Sequence, residues 1–367
     1  MTKIKDFCKK EAVLIISFIL AAVSAFIVKP TAEYINYIDF RTLALLLCLM
    51  AVMAGFNALG IFRLLASKLL GLASNTRSLA LWLTMLCFFS SMIITNDVAL
   101  ITFVPFSLVA LKLSGQGKLL IPLVTLETVA ANLGSMLTPV GNPQNLYLFS
   151  AFEMTIGDFL KALFPYATLS LVLCAVSVLF IKKENISFNH EASEKINIGH
   201  SAVYAALFLL AILTVFRVVP FELTLAASVI VILILDRHIL AKVDYSLLLT
   251  FIFLFIFIGN LKNIQSVSDF LGGIVSGNET LSGIACSQIF SNVPAAILLS
   301  GFASDIPALL VGVNLGGLGT LIASMASLIS FKLVIKENVF ASKYLLVFTA
   351  VNLVFLAFNI ALWFVIK

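Results

Sequence analysis

The sequence predicts an all-α polytopic membrane protein with about nine transmembrane spans, two re-entrant helical hairpins and two broken helices, arranged as two inverted repeats. Three observations predict it: the composition, the length of the apolar runs, and a gapless internal match. Hydrophobic residues fill 61% of the 367 positions and charged residues 11%, where a soluble domain carries about 25% charge. A mean hydropathy of +1.13 leaves too little polar surface to cover a globule in water. The apolar residues fall in runs of about 17–22, the length that crosses a hydrocarbon core of about 30 Å as helix. Barrel strands would alternate instead of running on.

Taken in order, spans are expected near 11–28, 39–57, 119–150, 159–181, 201–218, 223–236, 245–260, 306–331 and 343–366. Two further apolar segments, 79–112 and 281–300, are interrupted by polar tips, Thr95-Asn96-Asp97 and Ser291-Asn292-Val293-Pro294. Both read as hairpins that enter and leave on one side, since irregular backbone at depth must be covered by protein or line a cavity. With a cytoplasmic N-terminus, alternating spans and hairpins that do not cross, the C-terminus falls outside. Lys29, Arg41, Lys161, Arg217, Lys262 and Lys367 then lie outside, and the other 17 of the 23 Lys and Arg lie inside. That is the positive-inside pattern. Counting either hairpin as a crossing would spoil it. Val23-Ser24-Ala25 resembles a signal cleavage site, but the first span is needed for the parity.

The repeat is visible directly. Asn132-Leu-Gly-Ser-Met-Leu-Thr-Pro-Val-Gly-Asn-Pro-Gln-Asn-Leu146 matches Asn314-Leu-Gly-Gly-Leu-Gly-Thr-Leu-Ile-Ala-Ser-Met-Ala-Ser-Leu328 without a gap, each downstream of its own tip. Upstream, Ile38-Asp39-Phe40 opens a span ending at Gly55-Phe56-Asn57, and Val243-Asp244-Tyr245 opens one ending at Gly259-Asn260. Amphipathic stretches follow at 61–77 and 261–280. The first repeat is expected over 11–181, a linker loop and extra span over 182–222, and the second repeat over 223–366. The extra span inverts the second repeat, so the first hairpin opens to the cytoplasm and the second to the outside. Paired breaks at matching positions are a sequence pointer to a binding site.

The chemistry gathers at those breaks. Pro139 and Pro143 remove backbone donors, and proline favours the first position of a new helix. A half-helix is therefore expected to begin there, with its positive end near the bilayer centre, a ready anion site. In the second repeat Gly316, Gly317 and Gly319 loosen the helix instead. Asn96, Asn132, Asn142, Asn292 and Asn314 all fall at tips or breaks, where a buried amide must find partners. They either cap frayed helix ends or bind substrate or Na+, with Na+ candidates at Asn96, Asn142 and Asn292. Thr95, Thr138, Ser291, Thr320 and Ser324 supply hydroxyls at the same places, and Gly141 sits between the two prolines. Asp97 and Glu127 are the acids that fall deep in the membrane, with no Arg or Lys at that depth. Each costs about 2.5 kcal/mol or more at the bilayer centre unless paired or hydrated. Asp97 is a proton or cation carrier or a helix cap; Glu127 is a carrier or faces a hydrated vestibule.

Together the four motifs (Thr95-Asn96-Asp97, the stretch from Asn132 to Asn145, Ser291-Asn292-Val293-Pro294 and Asn314-Leu-Gly-Gly317) resemble the ion transporter superfamily. That group includes arsenite permeases, citrate transporters, sodium/proton antiporters and divalent anion/sodium symporters. The resemblance covers almost the whole chain and is nearest a short anion-permease branch. It implies a homodimer in the cytoplasmic (inner) membrane, with a scaffold and an elevator-like transport domain. It also implies that Asn96, Thr138 and Asn142 in one half, and Ser291, Asn292 and Thr320 in the other, hold substrate and Na+. The dicarboxylate symporters carry Ser-Asn-Thr at both tips; here an acid stands at the first tip and a hydroxyl is missing from the second. Both departures argue against a dicarboxylate, and Thr-Asn-Asp is nearer the arsenite and sodium/proton members.

The reading is a secondary transporter of a small inorganic or carboxylate anion, coupled to H+ or Na+. A Na+/H+ antiporter is the alternative, and an anion channel the third. No nucleophile–base set, metal cluster or phosphate-cradling loop points to an enzyme, and no cofactor is expected. Cys8, Cys48, Cys87, Cys174 and Cys286 lack metal spacing and read as small hydrophobes. The net charge of +5 follows the membrane rule for Lys and Arg and points to no nucleic-acid partner. Energy must come from an ion gradient or from a separate ATPase subunit, which arsenite permeases recruit by family resemblance.

Overall fold

The computed structural model describes residues 11–62, 64, 68, 73–186, 197–337 and 339–367. Among them the structure is helical, apart from one isolated bridge between Asn75 and Asn185. The helices are α1 (Ala12–Ile27), α2 (Tyr34–Tyr37), α3 (Phe40–Ala58), α4 (Thr76–Ile94), α5 (Asn96–Leu113), α6 (Leu120–Ser135), α7 (Pro143–Ala151), α8 (Ile156–Leu179) and α9 (Ile198–Val215). They continue as α10 (Phe221–Asp236), α11 (Tyr245–Lys262), α12 (Gln265–Val275), α13 (Glu279–Phe290), α14 (Asn292–Ser300), α15 (Ile306–Leu315), α16 (Met325–Ile335) and α17 (Ala341–Ile366).

Apolar sequence alone makes these segments helical in lipid, because every backbone N–H and C=O must be satisfied within the segment. Polar caps mark where many of them start. Asp39 accepts from the Thr42 amide and Asp244 from the Leu247 amide, both at 3.0 Å and with the same backbone conformation (φ −81°, ψ 86° and φ −80°, ψ 85°). Asn75 closes a capping box with Ser78, and Thr155, Asn197 and Asp305 cap α8, α9 and α15. The two spans opened by Asp39 and Asp244 also end alike. A methyl group at Gly55 would meet the ring of Tyr204, and one at Gly259 the ring of Tyr37. Only glycine lets a tyrosine ring lie flat on each helix.

The helices pack in two groups. In one, α1 lies on α11, α3 packs against α9 and α10, and α3 and α11 touch. In the other, α4, α5, α8, α16 and α17 surround α6, while α13 and α14 pack on α15. The groups meet where α3 touches α7 and α11 touches α14.

Among the described residues eight helices are long and apolar enough to cross a membrane. Six match expected spans; the other two are α4 and α5, the arms of the first hairpin. Their 19 and 18 residues reach about 28 Å, so length alone would make each a crossing. Their ends show that the pair makes no net crossing. At the start of α4, the Thr76 amide donates to Glu184 O (2.9 Å) and Arg77 Nε to Ile181 O (2.6 Å). Beyond the end of α5, Gln116 Nε2 donates to Glu184 Oε2 at 2.8 Å. Both ends of the hairpin therefore lie against one segment, 181–186. The second hairpin has arms of 12 and 9 residues. The broken spans expected at 119–150 and 306–331 appear as α6/α7 and α15/α16. The amphipathic stretch expected at 261–280 is narrower, α12, because α11 runs on to Lys262. Most of 63–72 and all of 187–196, within the expected interfacial stretch and linker, lie outside the described residues.

Candidate functional site at the hairpin tips and helix breaks

Each tip turns on one residue in the left-handed region: Thr95 (φ 68°, ψ 150°) and Ser291 (φ 73°, ψ 154°). Such a conformation costs a non-glycine residue about 1–3 kcal/mol and persists only where the surroundings over-determine it. At the first tip the Asn96 amide donates to Gly141 O at 3.1 Å, tying the tip to the break between α6 and α7. Asn96 and Asn292 each fold Oδ1 back on the following amide, of Asp97 and Val293, at 3.0 Å. Asp97 is not the helix cap; it stands in the first turn of α5.

The breaks are joined by an amide network. Asn132 Oδ1 accepts from Asn96 Nδ2 and from Ser324 Oγ, both at 3.0 Å, and Asn132 Nδ2 reaches Gly317 O at 3.5 Å. Asn142 caps α7 by accepting from the Asn145 amide (2.9 Å). Its Nδ2 donates to Ser135 Oγ and to Asn314 Oδ1, both at 3.1 Å. Asn314 Nδ2 donates to Asn145 Oδ1 (2.6 Å) and Leu310 O (2.8 Å). Pro143 opens α7 as the proline spacing predicts. A methyl group at Gly141 would run into the Ser135 carbonyl, so the turn admits only glycine.

Two predicted hydroxyls stand apart. Thr138 Oγ1 donates to the Met92 carbonyl and fastens the break to α4. Thr320 is exposed, and its amide donates to Gln288 Oε1 at 3.1 Å. Gln288 also donates to the carbonyls of Gly316 (2.9 Å) and Leu318 (2.8 Å), so it holds open the glycine break that no proline fixes. Ser291 Oγ points to Asn292 Oδ1 at 3.4 Å. Gln288 and Asn145 were not among the predicted site residues. The polar match of Asn145 with Ser327 in the repeat pointed to Asn145; nothing local pointed to Gln288.

A void of about 10 Å³ is lined by Asn96, Pro143, Asn292 and Met325, the first residues of α5, α7, α14 and α16. Four positive helix ends therefore meet at one point. Asp97, Gln144 and Ser324 complete the wall, and Gln144 Oε1 is buried without a protein partner. That volume is about one water molecule's. Beside it, a cavity of about 750 Å³ runs between α3, the α5 tip and the start of α11. Thr95, Asp97, Thr102 and Asn142 line one side, Met50, Met53 and Asn57 another, and Lys242 and Asp244 its rim. Lys242 shares this cavity with Asp97. The helical turn Arg237–Lys242 carries it into the same cavity, where Asp97 also feels the charge of Asp244. A second cavity of about 650 Å³, lined by Lys161, Glu279 and Lys367 among others, holds none of the predicted residues.

Glu127 is elsewhere, fully buried in α6, with Ser107 of α5 donating to its Oε1. Cys48, Cys87 and Cys174 are buried, as expected of small hydrophobes; Cys8 lies outside the described residues. Among the described residues no group of three His, Cys, Asp or Glu is placed to hold a metal ion.

Comparison with known proteins identifies the family. An uncharacterized transporter of Methanocaldococcus jannaschii is 35% identical over 86% of this chain and 86% of its own length. The inner membrane protein YbiR of Escherichia coli is 29% identical over 81% of this chain and 80% of its own. A silicon efflux transporter of Oryza sativa is 30% identical over 35% of this chain and 26% of its own. The citrate transporter family model matches residues 9–309. The chain is a polytopic membrane transporter and belongs to the citrate transporter family.

Proposed function

We propose that this protein is a secondary active transporter that moves a small anion or oxyanion across the cytoplasmic membrane, coupled to H+ or Na+. The observation that carries the reading is the void where the first residues of four helices meet among amides and hydroxyls. Helix N-termini favour negative charge, and the amides supply hydrogen bonds without fixed charge. Among the described residues no arginine, the residue suited to gripping a carboxylate with two bonds, lines either this void or the cavity beside it. A small hydroxylated oxyanion suits such a lining better than a tricarboxylate. The likeness to a silicon efflux transporter agrees with that preference.

The reading divides the chain into inverted repeats at 11–181 and 223–366 around a linker, and pairs the protein as a homodimer. The group of α1, α3, α9, α10 and α11 is the scaffold, and the rest is the moving elevator. The excess of Lys and Arg assigns the rim of Lys242 and Asp244 to the cytoplasm, so the larger cavity is an inward opening.

One observation favours the Na+/H+ antiporter as second reading: two carboxylates, Asp97 and Asp244, line the cavity against one ammonium, Lys242. Purified protein screened by thermal shift against silicate, arsenite, citrate, Na+ and Li+ separates the two, since a ligand of the folded state raises its stability. Concentrative uptake of a stabilising anion into proteoliposomes, surviving in Asp97→Asn, supports the anion transporter. Stabilisation by Na+ or Li+ alone, with antiport abolished by Asp97→Asn, supports the antiporter. Dissipation without accumulation identifies a channel and overturns both.

A further inference from the structure

Glu127 is the buried acid that the amide network leaves unused. It lies on α6 five residues before Asn132, about 7.5 Å along the helix, and does not line the void or either cavity. It is 0% exposed, and its Oε2 has no protein partner. Among the described residues no ion pair involves it. The titratable groups that face it are Cys87 from α4 and Tyr344 from α17, with Cys174 of α8 behind Cys87. From α5 it meets the hydroxyl of Ser107, and the adjacent Thr128 donates to Ser330 of α16 at 2.7 Å. An ionised carboxylate so enclosed, without a cation, is untenable at rest; and with one hydroxyl meeting the carboxyl, an ion with its own oxygen shell does not fit. A proton does.

The surroundings accommodate the acid in both forms. Ser107 Oγ is placed to donate to Phe103 O at 3.3 Å or to Glu127 Oε1. With the acid protonated, Glu127 donates to Ser107 and Ser107 to Phe103. With the proton gone, the Ser107 hydroxyl turns to the carboxylate. The buried Tyr344 hydroxyl, which feels that charge, faces Thr128, the next residue on α6. A merely structural acid needs one arrangement, and this site provides two. The helix that bears Ser107 also bears Thr102, Pro105 and Phe106, which line the large cavity, so one helix separates Glu127 from water.

We propose that Glu127 is the proton-binding site of the transport cycle, separate from the tips and breaks that hold the transported solute. It takes one proton from the aqueous phase on one side of the membrane and returns it as the same proton to the other, with no other bond made or broken. This rests on the transporter reading above and deepens it by assigning the coupling ion.

The test uses the full chain in lipid vesicles, with Glu127→Gln as an isosteric variant. Infrared difference spectra taken across a pH titration are expected to show a protonated carboxyl band converting to carboxylate in the native protein, and losing that component in Glu127→Gln. The same titration in both proteins, or a Glu127 band that persists at every pH, overturns the proposal. In a second arm the probes are silicate, arsenite and citrate. Uptake driven by a pH gradient is expected to vanish in Glu127→Gln while solute counterflow persists, and Ser107→Ala is expected to displace the pH profile of uptake. Native uptake driven by Na+ and indifferent to the pH gradient overturns the assignment of Glu127 but leaves the transporter reading standing. No movement of any probe or cation by the native protein overturns that reading itself.

Discussion

The two hairpins end alike and are built differently. Thr95 and Ser291 adopt almost the same strained backbone, and each is followed by an asparagine that folds back on the next amide. Their arms differ: 19 and 18 residues in the first hairpin, 12 and 9 in the second. At 1.5 Å per residue the tips lie about 28 Å from one base and about 14–18 Å from the other. The breaks differ too. The first is stiffened by Pro139 and Pro143 and closed by Asn145; the second is glycine-rich and held by Gln288. The tip geometry is thus common to both halves, while the supports are local solutions. Substitutions in matching places should have unequal effects.

The largest inequality is expected between Asn314 and Asn292. Asn314 bridges both breaks: its side chain donates to Asn145 and Leu310 and accepts from Asn142. Asn314→Ala leaves the Asn145 oxygen and an Asn142 N–H unpaired in the core, each costing about 1–3 kcal/mol. A loss of about 4 kcal/mol in unfolding free energy is expected, read as a large fall in Tm in detergent. The Asn292 Oδ1 bond to Val293 is local, so Asn292→Ala should change Tm little while depressing transport. Equal falls in Tm would break the distinction between a fastening asparagine and a solute-facing one.

The next contrast is between glycines. At Gly141 a methyl group would strike the Ser135 backbone carbonyl, which cannot step aside. At Gly317 it would lie 3.1 Å from Asn292 Nδ2, the end of a movable side chain. Gly141→Ala is expected to cost about 1–3 kcal/mol as overpacking and to abolish transport by spoiling the Asn96–Gly141 bond. Gly317→Ala should cost less in Tm and lower solute affinity through Asn292. The reverse ranking by thermal unfolding would mean that the glycine break is the rigid one.

Much of this was legible because the signals are local. Proline at the head of α7, glycine at the turn, polar tips within apolar runs and acid caps before spans are all short-range chemistry. The lysine and arginine bias counted the first hairpin as no crossing, as its fastened ends require, although its arms are long and apolar enough to span. What stayed hidden depends on residues far apart in sequence. Asn142 meets Asn314 across 172 positions, and the Thr138 hydroxyl is taken by Met92 across 46. Thr320 matches Thr138 in the repeat yet is exposed, with its amide held by the distant Gln288. Lys242 enters the cavity that Asp97 lines through a short helical turn that hydropathy reads only as the end of a span.

The smallest expected effect lies at the hairpin bases. The first base is clasped by Glu184, which accepts from Gln116 and pairs with Lys182 at 3.0 Å. The second is closed by Glu279, which accepts from the Ser304 and Asp305 amides, both at 3.1 Å. Glu184 lies beyond the spans, and its hydrogen bond from Gln116, with help from Lys182, holds its carboxyl below the ordinary glutamate value. A pKa lowered by folding stabilises above the unfolded value and loses that contribution as pH falls through the folded one. Glu184→Gln should therefore leave Tm nearly unchanged under strongly acidic conditions and lower it slightly near neutrality, since an exposed pair is worth little. Bonds from the Thr76 hydroxyl to Lys182 O and from its amide to Glu184 O would still hold the base. A collapse of transport in Glu184→Gln would show that the long first hairpin depends on the Glu184 carboxylate rather than on the bonds of Thr76.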